Sequence, residues 1–254
     1  MKRQLSLFTL VVALGSWNAA RAQSSEITLI APGGIRAALE QLIAGFEKTT
    51  GTRVKATFGS GLGTKRQVAL GEAFDVAVIQ PPYEPVLASG NLVANTATPL
   101  ATVAVGMAVR KGAPRPNISS PETVKSVLLA AKSIAYPDPA GGAAAGISFD
   151  DSLRRLGIAA QVEQKLRRAA GGAGAMAMTA RGEVEIGLTF LSEMEDSGID
   201  VVGSLPAAIS TPTALTGFVS TRAKDPRGAK TLLEYLASEG SAAVYRKTGM
   251  QPGR

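Results

Sequence analysis

Four glycine-bearing turns, each set just before an amphipathic or alanine-rich stretch, constrain this chain more than any other feature: Gly33-Gly34, Gly59 to Gly63, Gly141-Gly142 and Gly171-Gly172. The first follows the apolar run Ile27 to Ala31. It precedes Ile35 to Lys48, where Leu39, Leu42, Ile43 and Phe46 recur on one helical face before Gly51. The second lies between the alternating stretch Arg53 to Phe58 and a helix expected over Thr64 to Leu70, and Asp75 to Ile79 follows as another strand. Strand, glycine turn, helix and strand in succession predict an α/β fold whose sheets are mostly parallel and flanked by helices.

Further along, Thr102 to Val109 is apolar enough for one buried strand. Ser119 and Glu122 have capping-box spacing before a helix ending near Ala131. A strand over Ser133 to Tyr136 leads into a proline- and glycine-rich loop, Pro137 to Gly146. Helices are expected over Ser148 to Leu156, over Gln161 to Arg168 and from Gly171-Gly172 to Arg181, with strands at Ile186 to Phe190, Val201 to Leu205 and Thr213 to Val219. Two helices, Arg227 to Ala237 and one ending before Gly249, close the chain.

The N-terminus carries Lys2 and Arg3, an apolar run Leu5 to Leu14, and Ala20-Arg21-Ala22 before polar Gln23. That order predicts a cleaved signal peptide over residues 1–22, and its apolar core falls short of the ~20 residues of a membrane-spanning helix. The mature protein is therefore expected outside the cytoplasm, in the periplasm. Losing Lys2, Arg3 and Arg21 leaves 24 basic against 20 acidic residues, a net charge of +4. This mild excess suits anionic ligands. The basic residues are interspersed with acids and few aromatics, so nucleic acid is not an expected partner.

The chain has no histidine and no cysteine. Ser-His-Asp and Cys-His catalysis, disulfides and ordinary zinc sites are thereby excluded. Asp150-Asp151 and Glu183/Glu185 read as solvated surface, since sequence neighbours point apart on a helix. No catalytic residue, metal or cofactor is expected. Gly59-Ser60-Gly61-Leu62-Gly63-Thr64-Lys65 lies where a nucleotide loop would, but it has Thr64 where a dinucleotide loop needs glycine. Its Thr64-Lys65 also reverses the order of a phosphate loop. What remains is general: glycines let backbone N–H groups converge, and a helix N-terminus favours negative charge. Loops of this kind gather at the carboxyl ends of the strands in an open α/β sheet.

In their order and spacing, several segments resemble the type II periplasmic solute-binding proteins of ABC importers, and within them the molybdate-binding family. These are Ile27-Thr28-Leu29-Ile30-Ala31, Phe58-Gly59-Ser60-Gly61 with Gln67, Asp75-Val76-Ala77-Val78, Asp138-Pro139, Gly187 to Glu193, Val202 to Pro206 and Gly249-Met250-Gln251-Pro252. The resemblance implies two α/β lobes with a ligand cleft between them, residues 23–102 with 211–254 forming one and 103–210 the other. It also implies a monomer that binds a small anion and delivers it to a membrane permease. The ligand contacts expected on this basis are Gly33, Gly34, Arg36, Ser60, Gly61, Ala145, Gly172 and Phe190. Gly34, Gly61 and Phe190 stand where the family has two serines and a tyrosine that donate to the oxyanion. Their loss points away from molybdate and towards a larger anion such as an organic carboxylate. Restoring serine at 34 and 61 and tyrosine at 190 is expected to raise molybdate affinity. A sensor subunit with the same ligand, and an enzyme of the same fold acting on a carboxylate, are the rival readings.

Overall fold

A computed structural model describes residues 26–253. The expected signal peptide lies outside the described residues. In chain order the first half contains β1 (Glu26–Pro32), α1 (Arg36–Thr50), β2 (Arg53–Gly59), α2 (Gly61–Leu70), β3 (Val76–Ile79), α3 (Glu84–Leu87), β4 (Thr98–Val103), β5 (Val105–Arg110), α4 (Pro121–Ala130) and β6 (Ile134–Pro137). The second contains α5 (Ala144–Leu156), α6 (Ala159–Val162), β7 (Leu166–Ala169), α7 (Gly171–Ala180), β8 (Ile186–Phe190), β9 (Ile199–Ser204), β10 (Thr213–Val219), α8 (Pro226–Leu236), α9 (Glu239–Lys247) and β11 (Met250–Pro252).

The strands form two sheets. One has the order β11-β4-β10-β3-β1-β2 and the other β7-β6-β8-β5-β9. Both are mixed. β1 pairs in parallel with β2 and β3, and β6 in parallel with β7 and β8, as the glycine-turn units predict. The strands that carry the chain between sheets, β4, β10, β5 and β9, pair antiparallel. The result is a two-lobed α/β molecule. No described helix is long and apolar enough to cross a membrane.

Three local expectations are corrected. The apolar run expected as one strand over Thr102 to Val109 is two strands, broken at Ala104, and each half belongs to a different sheet. Periodicity cannot register this break, because the run is apolar on both sides of it. The helix before Ala131 is capped by Ser120, whose Oγ accepts from the Thr123 amide while the Ser120 amide donates to Thr123 Oγ1. Glu122, read as the reciprocal partner, instead falls in the first turn, one residue too early to reach back. The helix expected over Gln161 to Arg168 ends at Val162, and Leu166–Ala169 becomes an edge strand beside β6. The parallel pairing of Leu166 to Ala169 with Ile134 to Pro137 overrides helix propensity there, although Leu166 and Ala169 are buried at a helical spacing.

One hydrophobic cluster runs through both lobes, from Ile27, Leu29 and Leu39 to Leu153, Leu188 and Phe190. β1, β2 and β7 lead through short turns into α1, α2 and α7, and β6 leads through residues 138–143 into α5, which brings four helix N-termini to the boundary between lobes.

Candidate functional site

Those four N-termini line one cavity of about 390 Å³. The first lobe supplies Pro32, Gly33 and Gly34 before α1 and Gly59, Ser60 and Gly61 at α2. The second supplies Ala143, Ala144 and Ala145 at α5 and Ala169, Ala170, Gly171 and Gly172 at α7. The first-turn amides of a helix have no partner within it. At most helix starts a Ser, Thr, Asp or Asn side chain accepts from them. In this protein that happens away from the cavity, at Ser120 and Asp225. The residues before α5 and α7 are Ala143 and Ala170, which have no oxygen to offer, and no side chain caps the turn at Gly33–Ile35 either. Ser60 does cap α2, its Oγ accepting from the Gly63 amide at 3.0 Å, and its O–H remains able to donate.

Seven of the eight residues expected to contact ligand line this cavity: Gly33, Gly34, Ser60, Gly61, Ala145, Gly172 and Phe190. Arg36 does not. The turn at Gly33–Ile35 sets its side chain over the Phe58 ring, with Cζ 4.9 Å from the centroid, and it opens onto an adjoining cavity. Lys65 also turns away. Its ammonium donates to the carbonyls of Pro81 and Pro82, and burial lowers its pKa against the opposing pull of Glu84. Among the described residues no lysine or arginine lines the central cavity. Asp151, Glu183 and Glu185 lie in surface ion pairs with Arg155, Arg181 and Lys132. Among the described residues no group of three metal-ligating side chains assembles.

Gln80, Asp138 and Glu193 line the cavity and were not singled out as contacts by the sequence. Gln80 follows directly after β3. A polar residue at the carboxyl end of a buried strand is the signal that could have found it. It is 4% exposed, and its Nε2 has no hydrogen-bond partner in the protein. Glu193 follows β8 by one turn. Thr189 Oγ1 donates to its Oε2 at 2.5 Å. Burial pushes the pKa of this carboxyl up, against the Thr189 hydroxyl and the Phe190 amide, which favour its charged form.

The glycines at 34 and 61 have neighbours that a sequence reading cannot see. A Cβ at Gly34 would lie 2.9 Å from Phe190 Cδ2, and one at Gly61 would collide with Gln80 Oε1. Neither glycine has positive φ, so the backbone accepts serine at both. At Gly34 the Phe190 ring stands in the way, and a tyrosine at 190 keeps that ring, whereas at Gly61 the obstacle is the movable end of the Gln80 side chain. Two hydrogen bonds join the lobes beside the cavity: Ser192 Oγ to the Gly34 carbonyl at 2.6 Å, and the Leu62 amide to the Gly142 carbonyl at 3.3 Å.

Comparison with known proteins agrees with this architecture. An aconitate isomerase from Pseudomonas sp is 30% identical over 234 residues, spanning 89% of this chain and 87% of that protein. The molybdate-binding protein ModA of Azotobacter vinelandii is 30% identical over 251 residues, spanning 96% and 97%. The solved periplasmic molybdate-binding protein of Azotobacter vinelandii superposes with a TM-score of 0.73 at 18% identity, covering 88% of this chain and 98% of that one. The fold is thus the two-lobed type II architecture of periplasmic binding proteins. The family model for bacterial extracellular solute-binding proteins matches residues 27–251, and the chain belongs to that family.

Proposed function

We propose that the protein captures a small organic carboxylate between its lobes in the periplasm and delivers it to the membrane permease of an ABC importer. The observation that carries this reading is the convergence of four helix N-termini, three without a side-chain cap, on one cavity that has no cationic side chain among the described residues. Amides and helix dipoles then hold the negative charge. The unpartnered amide nitrogen of Gln80 supports the same reading, because a buried donor left unmade is costly and an acceptor on the ligand relieves the cost.

The size and lining of the cavity favour a carboxylate over a tetrahedral oxyanion. About 390 Å³ is room for roughly a dozen waters, more than four oxygens around one atom fill. Phe190 and the alanines give an apolar wall for a carbon skeleton. We assign the eight expected contacts other than Arg36, with Gln80, to ligand binding. A thermal-shift series with trans-aconitate, cis-aconitate, molybdate and sulfate tests the reading. A ligand at about 100 times its Kd adds about 2.7 kcal/mol of stability. A polycarboxylate is expected to raise the melting temperature and the two tetrahedral ions are not. The opposite order removes the carboxylate reading.

A second reading, that the cleft isomerises the carboxylate it holds, is favoured by the similarity to an aconitate isomerase and by a carboxyl at Glu193 facing the cavity. Proton transfer by a positioned carboxyl is sufficient chemistry for shifting a double bond next to a carboxylate. Proton NMR of cis-aconitate incubated with the protein tests it directly: appearance of the trans isomer above the protein-free rate supports the enzyme, and none supports capture alone.

A further inference from the structure

We infer that Glu193 is the specificity-determining residue that couples ligand capture to a proton, so that the cleft takes an anion tightly only while the Glu193 carboxyl is protonated. The inference rests on the anion-binding reading of the cleft and goes beyond it. Glu193 is a carboxyl of the cavity that sits where the lobes meet. It belongs to the second lobe, and its Oε1 borders the space beside Gly33 of the first, 3.7 Å from where a Cβ there would stand, as does the Gly59 carbonyl oxygen. Its Oε2 lies against Gly172 at the start of α7 and receives the Thr189 hydroxyl. The carboxyl is thus wedged between two of the helix N-termini that supply amides to the cavity.

A carboxylate in that position competes for the positive ends of both helices and repels the incoming anion. A carboxylic acid there does neither, and its O–H is a donor to the ligand oxygen, in a cavity that offers no other acidic hydrogen apart from Ser60, Gln80 and the backbone. The charged groups that face Glu193 do not settle its state by pairing. Arg36 and Glu40 of α1, together with Glu195 and Asp196, line the adjoining cavity, and Asp138 lies in the central one. The Arg36 guanidinium is held over Phe58, and among the described residues Glu193 forms no ion pair. Burial of the group, raising its pKa, agrees with this geometry.

By linkage, an anion that prefers the protonated carboxyl raises its pKa further, and affinity falls as pH rises through the Glu193 range. The test is calorimetry with trans-aconitate and with molybdate at about pH 5.5 and about pH 8, on the wild type and on Glu193→Gln, which keeps a donor at every pH. The probes' own titration is common to both proteins, so the difference isolates Glu193. The expected result is a fall in wild-type affinity of at least about tenfold across that range and of under about threefold in the variant. Equal falls in the two proteins overturn the inference. Loss of trans-aconitate binding at both pH values, with molybdate bound and showing the Glu193-dependent fall, removes the carboxylate reading and keeps the proton coupling. Titration of the ligand-free protein by carboxyl carbon NMR is the remaining arm, free of any ligand assumption. Glu193 is expected to titrate after the surface glutamates, and titration together with them overturns the inference whatever binds.

Discussion

Ser192 Oγ donates to the carbonyl oxygen of Gly34 at 2.6 Å, a buried hydrogen bond between residues 158 positions apart that ties the second lobe to the first. Because it crosses the cleft, it exists only while the lobes are together, and its loss acts on closure. One buried hydrogen bond is worth about 1 kcal/mol. Ser192→Ala is therefore expected to weaken ligand binding by about fivefold, mainly through faster release. Stopped-flow dissociation and small-angle scattering of the ligand-bound protein check this, with a larger radius of gyration expected for the variant at equal occupancy.

Gly34 and Phe190 fill one space between them. Placing serine at 34 puts a Cβ 2.9 Å from the Phe190 ring, and overpacking of that kind costs about 1–3 kcal/mol. Gly34→Ser is expected to reduce affinity for the carboxylate about fivefold or more. Adding Phe190→Ala should recover part of the loss, whereas adding Phe190→Tyr should recover none. Calorimetry on the three proteins distinguishes steric conflict from a need for hydroxyl donors.

Gln80 gives a cleaner separation of binding from folding. Its Nε2 has no protein partner to lose, so Gln80→Ala is expected to leave the ligand-free melting temperature within about 2 °C, an effect of under about 0.5 kcal/mol. It should still lower affinity about three- to tenfold through the missing donor. A large drop in the ligand-free melting temperature would assign Gln80 to the scaffold instead.

The raised pKa of Glu193 predicts a pH profile for stability. A carboxyl whose native value lies above its unfolded value binds more protons folded than unfolded, so stability falls as pH rises through the interval between the two, and the cost is full above it. Glu193→Gln removes that cost. The melting temperature of the variant is expected to match the wild type below the ordinary glutamate range, at about pH 3, and to exceed it at about pH 8. Scanning calorimetry at the two values is the check.

The glycine turns made the helix starts legible, and with them most of the cavity lining, because a strand–glycine–helix unit is a local pattern whose ligand-facing end is fixed by the direction of the chain. Ser60 and the amides of Gly33, Gly61 and Gly172 were readable for that reason. How the side chains of the cavity pack against those glycines was not. Phe190 against Gly34 and Gln80 against Gly61 are contacts across the fold, and nothing in the local sequence tells a glycine kept for a ligand from one kept for a neighbouring side chain. Arg36 failed in the opposite way. Its position in the first helical turn was readable, but its direction depended on the aromatic face of Phe58 on the next strand. The break at Ala104 was hidden because the run is apolar on both sides of it.

That break has a counterpart across the ladder. The first sheet loses the chain after Val103 and regains it at Thr213, and these two residues are directly paired between β4 and β10. The whole second lobe is therefore spliced in at a single rung, like a cassette whose two ends share one doorway. The half of the ligand wall that this lobe carries, from Pro137 to Glu193, thus enters and leaves through one shared pair of residues, while the other half, from Pro32 to Gln80, stays with the sheet that receives it.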